Sequence, residues 1–330
     1  MAVRNIRQSC VCVVGGAGFL GSHLVNHLIE DRECRVLVLD NLITGRREFV
    51  HPKASFEYAD ITGSETYLRK LFEHHHIDYV FNYAAEPYIP VSFARPLHVF
   101  EINATGAMKV INAAQEAGCS GILQVSSAEI YGDCRDGKIN EDYPVNPHST
   151  YGVAKAAIDS LIQARWKEAW TPAIALRQFN CIGERETHPY VVTTIISQIY
   201  QQQKEGKSTP VIHLGNNSFR DFQYAGDAVR MAVELLEKGD FGQVYNMGAE
   251  EGTKIYDLAI LVGELMGCEN GVQILVDPRR VRPWEIWHLQ SDNSKLYGTI
   301  ADRPQITFQE ALKRTIDYFQ SNGGRWAWEN

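Results

Sequence analysis

The chain of 330 residues is short of several things, and each shortage removes a class of function. Positive charge is not in excess: 32 Lys and Arg stand against 40 Asp and Glu, a net charge of -8. No overall field gathers a polyanion, so nucleic acid is not expected as a main partner and any anionic ligand must be met by local groups. No apolar stretch approaches the roughly 18 residues that a membrane-spanning helix needs, so no membrane partner is expected. The seven cysteines, at 10, 12, 34, 119, 134, 181 and 268, have neither paired metal-ligand spacing nor the density of a disulfide scaffold. They read as reduced thiols in a cytoplasmic protein without a metal. The apolar run Cys10–Val14 behind the first arginines mimics a secretory leader but is too short for one, and it flows straight into a glycine-rich turn. No repeat or low-complexity tract occurs. His74, His75 and His76 close a helical pattern, where consecutive side chains point apart, so the run reads as a solvated helix end.

What is present is an ordinary globular composition, 45% hydrophobic and 22% charged. Short apolar runs at 10–14, 35–39, 55–58, 79–83, 121–126 and 173–179 alternate with amphipathic stretches at 18–30, 64–75, 97–117 and 151–169. Strands buried on both faces and joined by crossover helices make an α/β protein with a doubly wound parallel sheet, which binds ligands beyond the carboxyl ends of its strands. Past about residue 180 the alternation loosens, and Pro, Gly and basic residues cluster. The expected division is therefore a dinucleotide-binding domain over 1–178 and, mainly, a smaller substrate-binding lobe over 179–330.

The first apolar run leads into Gly15-Gly16-Ala17-Gly18-Phe19-Leu20-Gly21 and then a helix. Glycines at this spacing permit a tight turn, close approach of the backbone to a pyrophosphate and close helix packing, while the helix N-terminus offers amides to the phosphates. A generic tight turn is the alternative. Asp40 favours the dinucleotide: it ends the next run, 19 residues after Gly21, where a carboxylate holds ribose hydroxyls and repels the extra phosphate of NADP. NAD is thus the expected cofactor, although Arg46 and Arg47 nearby leave NADP open. Asp60-Ile61, after the third run, either meets the adenine or turns the chain before the next helix.

Tyr151 and Lys155 stand four residues apart on one helical face. An ammonium and a positive nicotinamide ring both favour the phenolate, which can take a hydroxyl proton while hydride leaves the same carbon. Ser127, at the end of the strand 121–126, is placed to bond the same hydroxyl. Along an extended backbone Ser127 and Glu129 point to the same side.

Gly15 to His23 (GGAGFLGSH), Asp40-Asn41-Leu42, Asn82 to Ala85 (NYAA), Ser126 to Gly132 (SSAEIYG), Tyr151-x-x-x-Lys155 and Arg220-Asp221-Phe222 occur in order across nearly the whole chain. As a set they resemble the extended short-chain dehydrogenases, the NAD-dependent epimerase/dehydratase family. The resemblance implies a Rossmann-type fold with a carboxyl-terminal nucleotide-sugar lobe, and a homodimer built on helices within 97–117 and 151–169. It makes Ser127, Tyr151 and Lys155 the oxidising triad and sets Asn41, Ala84 and Ala85 beside the cofactor, with Asn103 near it or in the helix bundle. A nucleotide-diphosphate sugar would meet Glu86, Asn180, Arg220 and Arg282.

Glu129 narrows the reaction. With the sugar C4 oxidised, the C5 proton is acidic, and a carboxylate above it can remove it as the C6 hydroxyl leaves. In the resembling 4,6-dehydratases and glucuronate decarboxylases a Glu stands two places after the Ser or Thr, whereas 4-epimerases usually lack it. Against this, Ala128 occupies the place where many dehydratases carry an acidic proton donor, with Glu129 itself, Glu86 and Cys181 as substitutes. The segment Cys181 to Tyr190 also departs from the relatives' Gly-Pro-Arg turn. The expectation is a nucleotide-hexose 4,6-dehydratase; the alternatives are a 4-epimerase, a glucuronate decarboxylase and a non-catalytic NAD-binding regulator.

Overall fold

The computed structural model describes residues 4–134, 137–281 and 284–329. Runs that are apolar at successive positions have no polar face to show to water, and they form interior strands. In β1 (Cys10–Val14) every residue is buried, as are all but the first of β2 (Arg35–Asp40). β3 (Ser55–Tyr58) is only partly covered and lies at the sheet edge. β4 (Tyr79–Asn82), β5 (Gly121–Ser127) and β6 (Ala173–Gln178) complete the expected set.

A seventh strand, Val244–Met247, pairs in parallel with β6, so the domain boundary expected at 178/179 is crossed by the chain. The reason is packing: helix Ala225–Lys238 lies against the first helix, Phe19–Glu30, and carries the chain back to the sheet. The order runs from Val244–Met247 through β6, β5, β4, β1 and β2 to β3, all parallel. Between β1 and β4 the winding reverses, which opens a crevice at the strands' carboxyl ends. Alternate β1 residues feed two cores: Val11 and Val13 pack with Leu24, Leu28 and Leu235, and Cys12 and Val14 with Leu68, Val110 and Ile158.

A third core underlies the remaining residues, with helices Val191–Lys204, Ile255–Leu265 and Phe308–Ser321 around Trp326. A small sheet centred on Phe219–Tyr224 joins it to the crevice through strand Asn180–Ile182. All seven cysteines are free thiols. Among the described residues no helix is long and apolar enough to cross a membrane.

Two local expectations need correction. The helix expected over 97–117 is three pieces: Pro96–Phe100, a π-helical turn Glu101–Gly106, and Ala107–Glu116. Such a turn inserts a residue without disturbing the apolar pattern, and here it buries Asn103, whose amide donates to Glu86 O at 3.0 Å and Val99 O at 2.9 Å. That ties the loop after β4 in place. Ser127 and Glu129 do not share an extended strand either. β5 ends at Ser127, and Ala128–Tyr131 coil into a 3-10 turn capped by the Ser127 hydroxyl, which accepts from Glu129 N at 3.2 Å.

Candidate active site

The residues singled out by the sequence come from elements far apart in the chain. Gly15, Gly18, Phe19, Leu20, Gly21, Asp40, Asn41, Asp60, Ile61, Ala84, Ala85, Glu86, Ser127, Glu129, Tyr151, Lys155, Asn180 and Arg220 all line one cavity of about 870 Å³. It occupies the crevice that the strand order creates. Arg282 lies outside the described residues.

The dinucleotide half is a backbone cradle. Gly15 has φ +79, and a Cβ there would meet Ala84 N at 2.6 Å; one on Gly21 would meet Gly15 O at 2.1 Å. Glycine is therefore imposed by close approach as well as by conformation. Gly18 caps the first helix with no side-chain hydrogen bond, which leaves its first-turn amides for an anion. Asp40 is buried at the end of β2 and accepts from Ala17 N at 3.0 Å and Leu42 N at 2.8 Å, fixing both carboxylate oxygens at the crevice edge. Arg46 donates to the Ala327 carbonyl and Arg47 lies over the Phe56 ring, so neither reaches the cavity. Asp60 takes the turn reading as well as the cavity: it accepts from Thr62 N at 2.8 Å and Asn41 Nδ2 at 2.9 Å, while Ser64 caps the next helix. The cradle fits a dinucleotide with an unphosphorylated ribose.

The reactive half sits where β5 and helix Thr150–Ala169 meet. Lys155 is 2% exposed, and its ammonium donates to Val125 O at 2.9 Å. Burial holds its pKa down at about 8, against the opposing pull of Asp159 one turn along. Asp159 in turn pairs with Arg177 of β6 at 2.7 Å, fully buried, and Arg177 also donates to Tyr131 Oη at 2.7 Å. This network clamps the helix to the sheet. The Tyr151 phenol is raised above its usual range by burial, pulled back by a hydrogen bond with Ser127, and raised again by the charges of Glu129 and Glu86. Lys155 Nζ stands 5.8 Å from the Tyr151 ring centre. The spacing of Tyr151 and Lys155 alone therefore does not make a phenolate; a positive group in the cavity is required.

Arg220 is held by Glu285 at 3.2 Å, both nearly buried, and Glu285 is shared with Asn216 at 2.6 Å. The guanidinium is a fixed wall group rather than a surface ion pair. Ala128 is 1% exposed within the cluster of Ile130, Phe179 and Leu289, and contributes no polar atom to the cavity. Trp284 and Trp287 are 71% and 51% exposed and do not line it.

Sequence reasoning missed one wall. Tyr88, Glu186, Thr187, His188 and Tyr190 line the same cavity. The His188 ring stacks on Tyr88, with centroids 6.0 Å apart, and lies 5.6 Å from that of Tyr190. Burial pushes His188 down to about 4 and Glu186 up to about 8. The available signal was the unusual segment 181–190 itself.

Comparison with known proteins agrees with this architecture. Residues 11–248 match the model of the NAD dependent epimerase/dehydratase family. Human dTDP-D-glucose 4,6-dehydratase is 28% identical over 96% of this chain and 91% of its own. A putative UDP-glucose 4-epimerase of Methanocaldococcus jannaschii is also 28% identical, over 94% of this chain and 99% of its own. Among solved structures, the UDP-glucose 4-epimerase of Thermotoga maritima, determined with UDP-glucose, superposes with a TM-score of 0.86 at 27% identity, covering 95% of this chain and 99% of that one. The dTDP-glucose 4,6-dehydratase of Streptomyces venezuelae, determined with NAD, gives 0.85 at 25%, covering 96% and 98%. A glycine cradle, a buried strand-end carboxylate and a Ser-Tyr-Lys cluster in one crevice accompany the match across 11–248, which places the chain in the NAD-dependent epimerase/dehydratase family.

Proposed function

We propose that the protein is a nucleotide-hexose 4,6-dehydratase that oxidises the sugar at C4 with bound NAD and then eliminates water across C5 and C6. The observation that carries this reading is Glu129, set on the 3-10 turn in the same cavity as Ser127, Tyr151 and Lys155, close enough for its charge to be felt by the Tyr151 phenol. The first-turn amides of Phe19 and Leu20 would hold the pyrophosphate of NAD, and Asp40 its ribose. When bound, NAD would supply a two-electron acceptor for the C4 hydrogen. Ser127 orients the C4 hydroxyl, and Tyr151 takes its proton; Lys155 holds the site positive, which a phenolate needs. Glu129 removes the C5 proton once C4 is a ketone. Asn180 and Arg220 position the nucleotide-diphosphate sugar, Arg220 through a fork already fixed by Glu285.

A 4-epimerase is the second reading. It is favoured by Ala128, which puts no proton donor beside Glu129, and by the epimerases among the relatives. Mass spectrometry of dTDP-glucose, UDP-glucose and UDP-N-acetylglucosamine incubated with the protein and NAD separates the two. Loss of one water from a substrate supports dehydration, with Glu129→Gln abolishing the loss. A new isomer of unchanged mass, formed equally by Glu129→Gln, refutes it.

The resemblance also leads us to propose a homodimer. Phe93, Leu97, Phe100 and Val153 are exposed apolar residues on helices Ile89–Ala94, Pro96–Phe100 and Thr150–Ala169, which pack side by side. Pairing two such faces, three helices from each chain, buries these side chains.

A further inference from the structure

Dehydration needs an acid as well as a base. The C6 hydroxyl is a poor leaving group unless it receives a proton, and position 128, where many of the resembling dehydratases carry that acid, is a buried alanine. We propose that Glu186 is the proton donor to the C6 leaving oxygen, an inference that rests on the dehydratase reading above.

Glu186 lies on the segment that follows strand Asn180–Ile182, on another part of the cavity wall from Glu129. It is 4% exposed. Its carboxyl accepts from Thr187 N at 2.9 Å, and the described residues give it no salt bridge. Burial beside Tyr190 outweighs the amides of Thr187 and His188, which favour the carboxylate, so the carboxyl is pushed up to about 8 and can give its proton away at neutrality. Tyr190 feels the charges of both Glu186 and Tyr151, which places the three groups in one neighbourhood.

The other acids suggested by the sequence fit less well. Burial raises Glu86 as well, but Tyr88 N, which donates to it at 3.1 Å, and the charges of His98 and Arg95 draw it back toward the carboxylate. Cys181 is half-buried, its thiol is pushed well above the usual range by desolvation, and it donates to the Phe179 carbonyl. Glu86 thus has cations beside it that Glu186 lacks among the described residues, and a thiol held that high gives up its proton poorly.

The step balances. Glu129 takes the C5 proton, and the electron pair of that C–H bond becomes the C5–C6 double bond. The C6–O bond breaks with its pair on oxygen, and the Glu186 proton completes the water. The hydrogen and two electrons taken from C4 return to C6, and the Glu129 proton returns to C5. The proton that Tyr151 took from the C4 hydroxyl balances the one that Glu186 gave.

The test compares wild type, Glu186→Gln and Glu86→Gln on whichever of dTDP-glucose, UDP-glucose and UDP-N-acetylglucosamine the wild type dehydrates, and on its 6-deoxy-6-fluoro analogue. Fluoride is weakly basic and leaves without an acid. Glu186→Gln should lose roughly 10²-fold or more in water elimination, while eliminating fluoride within a few-fold of wild type and still exchanging the C5 proton with solvent deuterium. Retained fluoride elimination also certifies that the variant is folded and binds NAD. Equal rates of water loss in Glu186→Gln and wild type, an equal loss on both substrates, or the selective loss appearing in Glu86→Gln instead would overturn the assignment while leaving the dehydratase reading standing. A wild type that dehydrates none of the three sugars removes both.

Discussion

Replacing Lys155 by Met should make the protein more stable and inactive. The ammonium is 2% exposed, and its pKa falls from 10.5 to about 8, with burial as the leading cause. At about 1.4 kcal/mol for each tenfold change in proton affinity, holding it charged at pH 7 costs the folded state about 3 kcal/mol. Met fills a similar volume without charge. The lost hydrogen bond subtracts little, because Val125 O keeps Gln124 Nε2 at 2.9 Å, leaving a net gain of about 2 kcal/mol. With unfolding entropy near 2.1 cal/mol/K per residue over 330 residues, the melting temperature should rise by about 3 °C. The pH dependence has a definite sign. Above 10.5 the amine is neutral in both states and costs nothing; the penalty grows as pH falls toward 8 and is complete below it. The advantage of Lys155→Met should therefore be full at pH 7, shrink between 8 and 10.5, and vanish beyond. Differential scanning calorimetry of nucleotide-free protein across this range is the assay. A lower midpoint than wild type at pH 7, or a gain that persists at pH 11, would show that the buried ammonium does not destabilise the folded state. Turnover should fall at least 10²-fold.

Gly15→Ala sets a Cβ 2.6 Å from Ala84 N at a φ that L residues rarely adopt, so NAD affinity measured by fluorescence titration should drop at least tenfold; unchanged affinity would show that the turn relaxes freely. Arg177→Met strips the buried Asp159 of its 2.7 Å partner and should cost about 3–5 kcal/mol in urea unfolding. A cost under about 1 kcal/mol would mean that Asp159 is neutral in the native state. Leu97→Glu, on a side chain 85% exposed, should convert a dimer to a folded monomer by light scattering with unchanged circular dichroism. An unaltered mass would place any interface elsewhere.

Much of the fold was legible because buried parallel strands are written as unbroken apolar runs. Cys10–Val14 and Ser55–Tyr58 were located to the residue, and the other four within one residue at their carboxyl ends. The strand Val244–Met247 escaped because its place in the sheet depends on a helix packing against Phe19–Glu30, a long-range contact with no periodic signature. The π-helical turn at Glu101–Gly106 escaped for a different reason: one inserted residue leaves the apolar spacing on both sides nearly unaltered.

The site divides in the same way. Glycines, Asp40 and the Tyr151–Lys155 pair carry their constraint in local backbone or helical spacing, so residue type and position suffice to single them out. Ser127 and Glu129 were paired through an extended-strand argument that the 3-10 turn replaces, yet both reach the cavity, because a turn that begins at Ser127 still carries Glu129 beside the crevice. Glu186 had no such local mark. An acid in a loop becomes a proton donor only when tertiary packing removes water from around it, and the burial that raises Glu186 has no counterpart in the spacing of segment 181–190. An apolar residue at 128 and a buried acid at 186 bear on the same elimination, so neither is interpretable from its own neighbourhood. Restoring Asp at 128 in a Glu186→Gln background should recover part of the lost water elimination if the two positions serve the same oxygen.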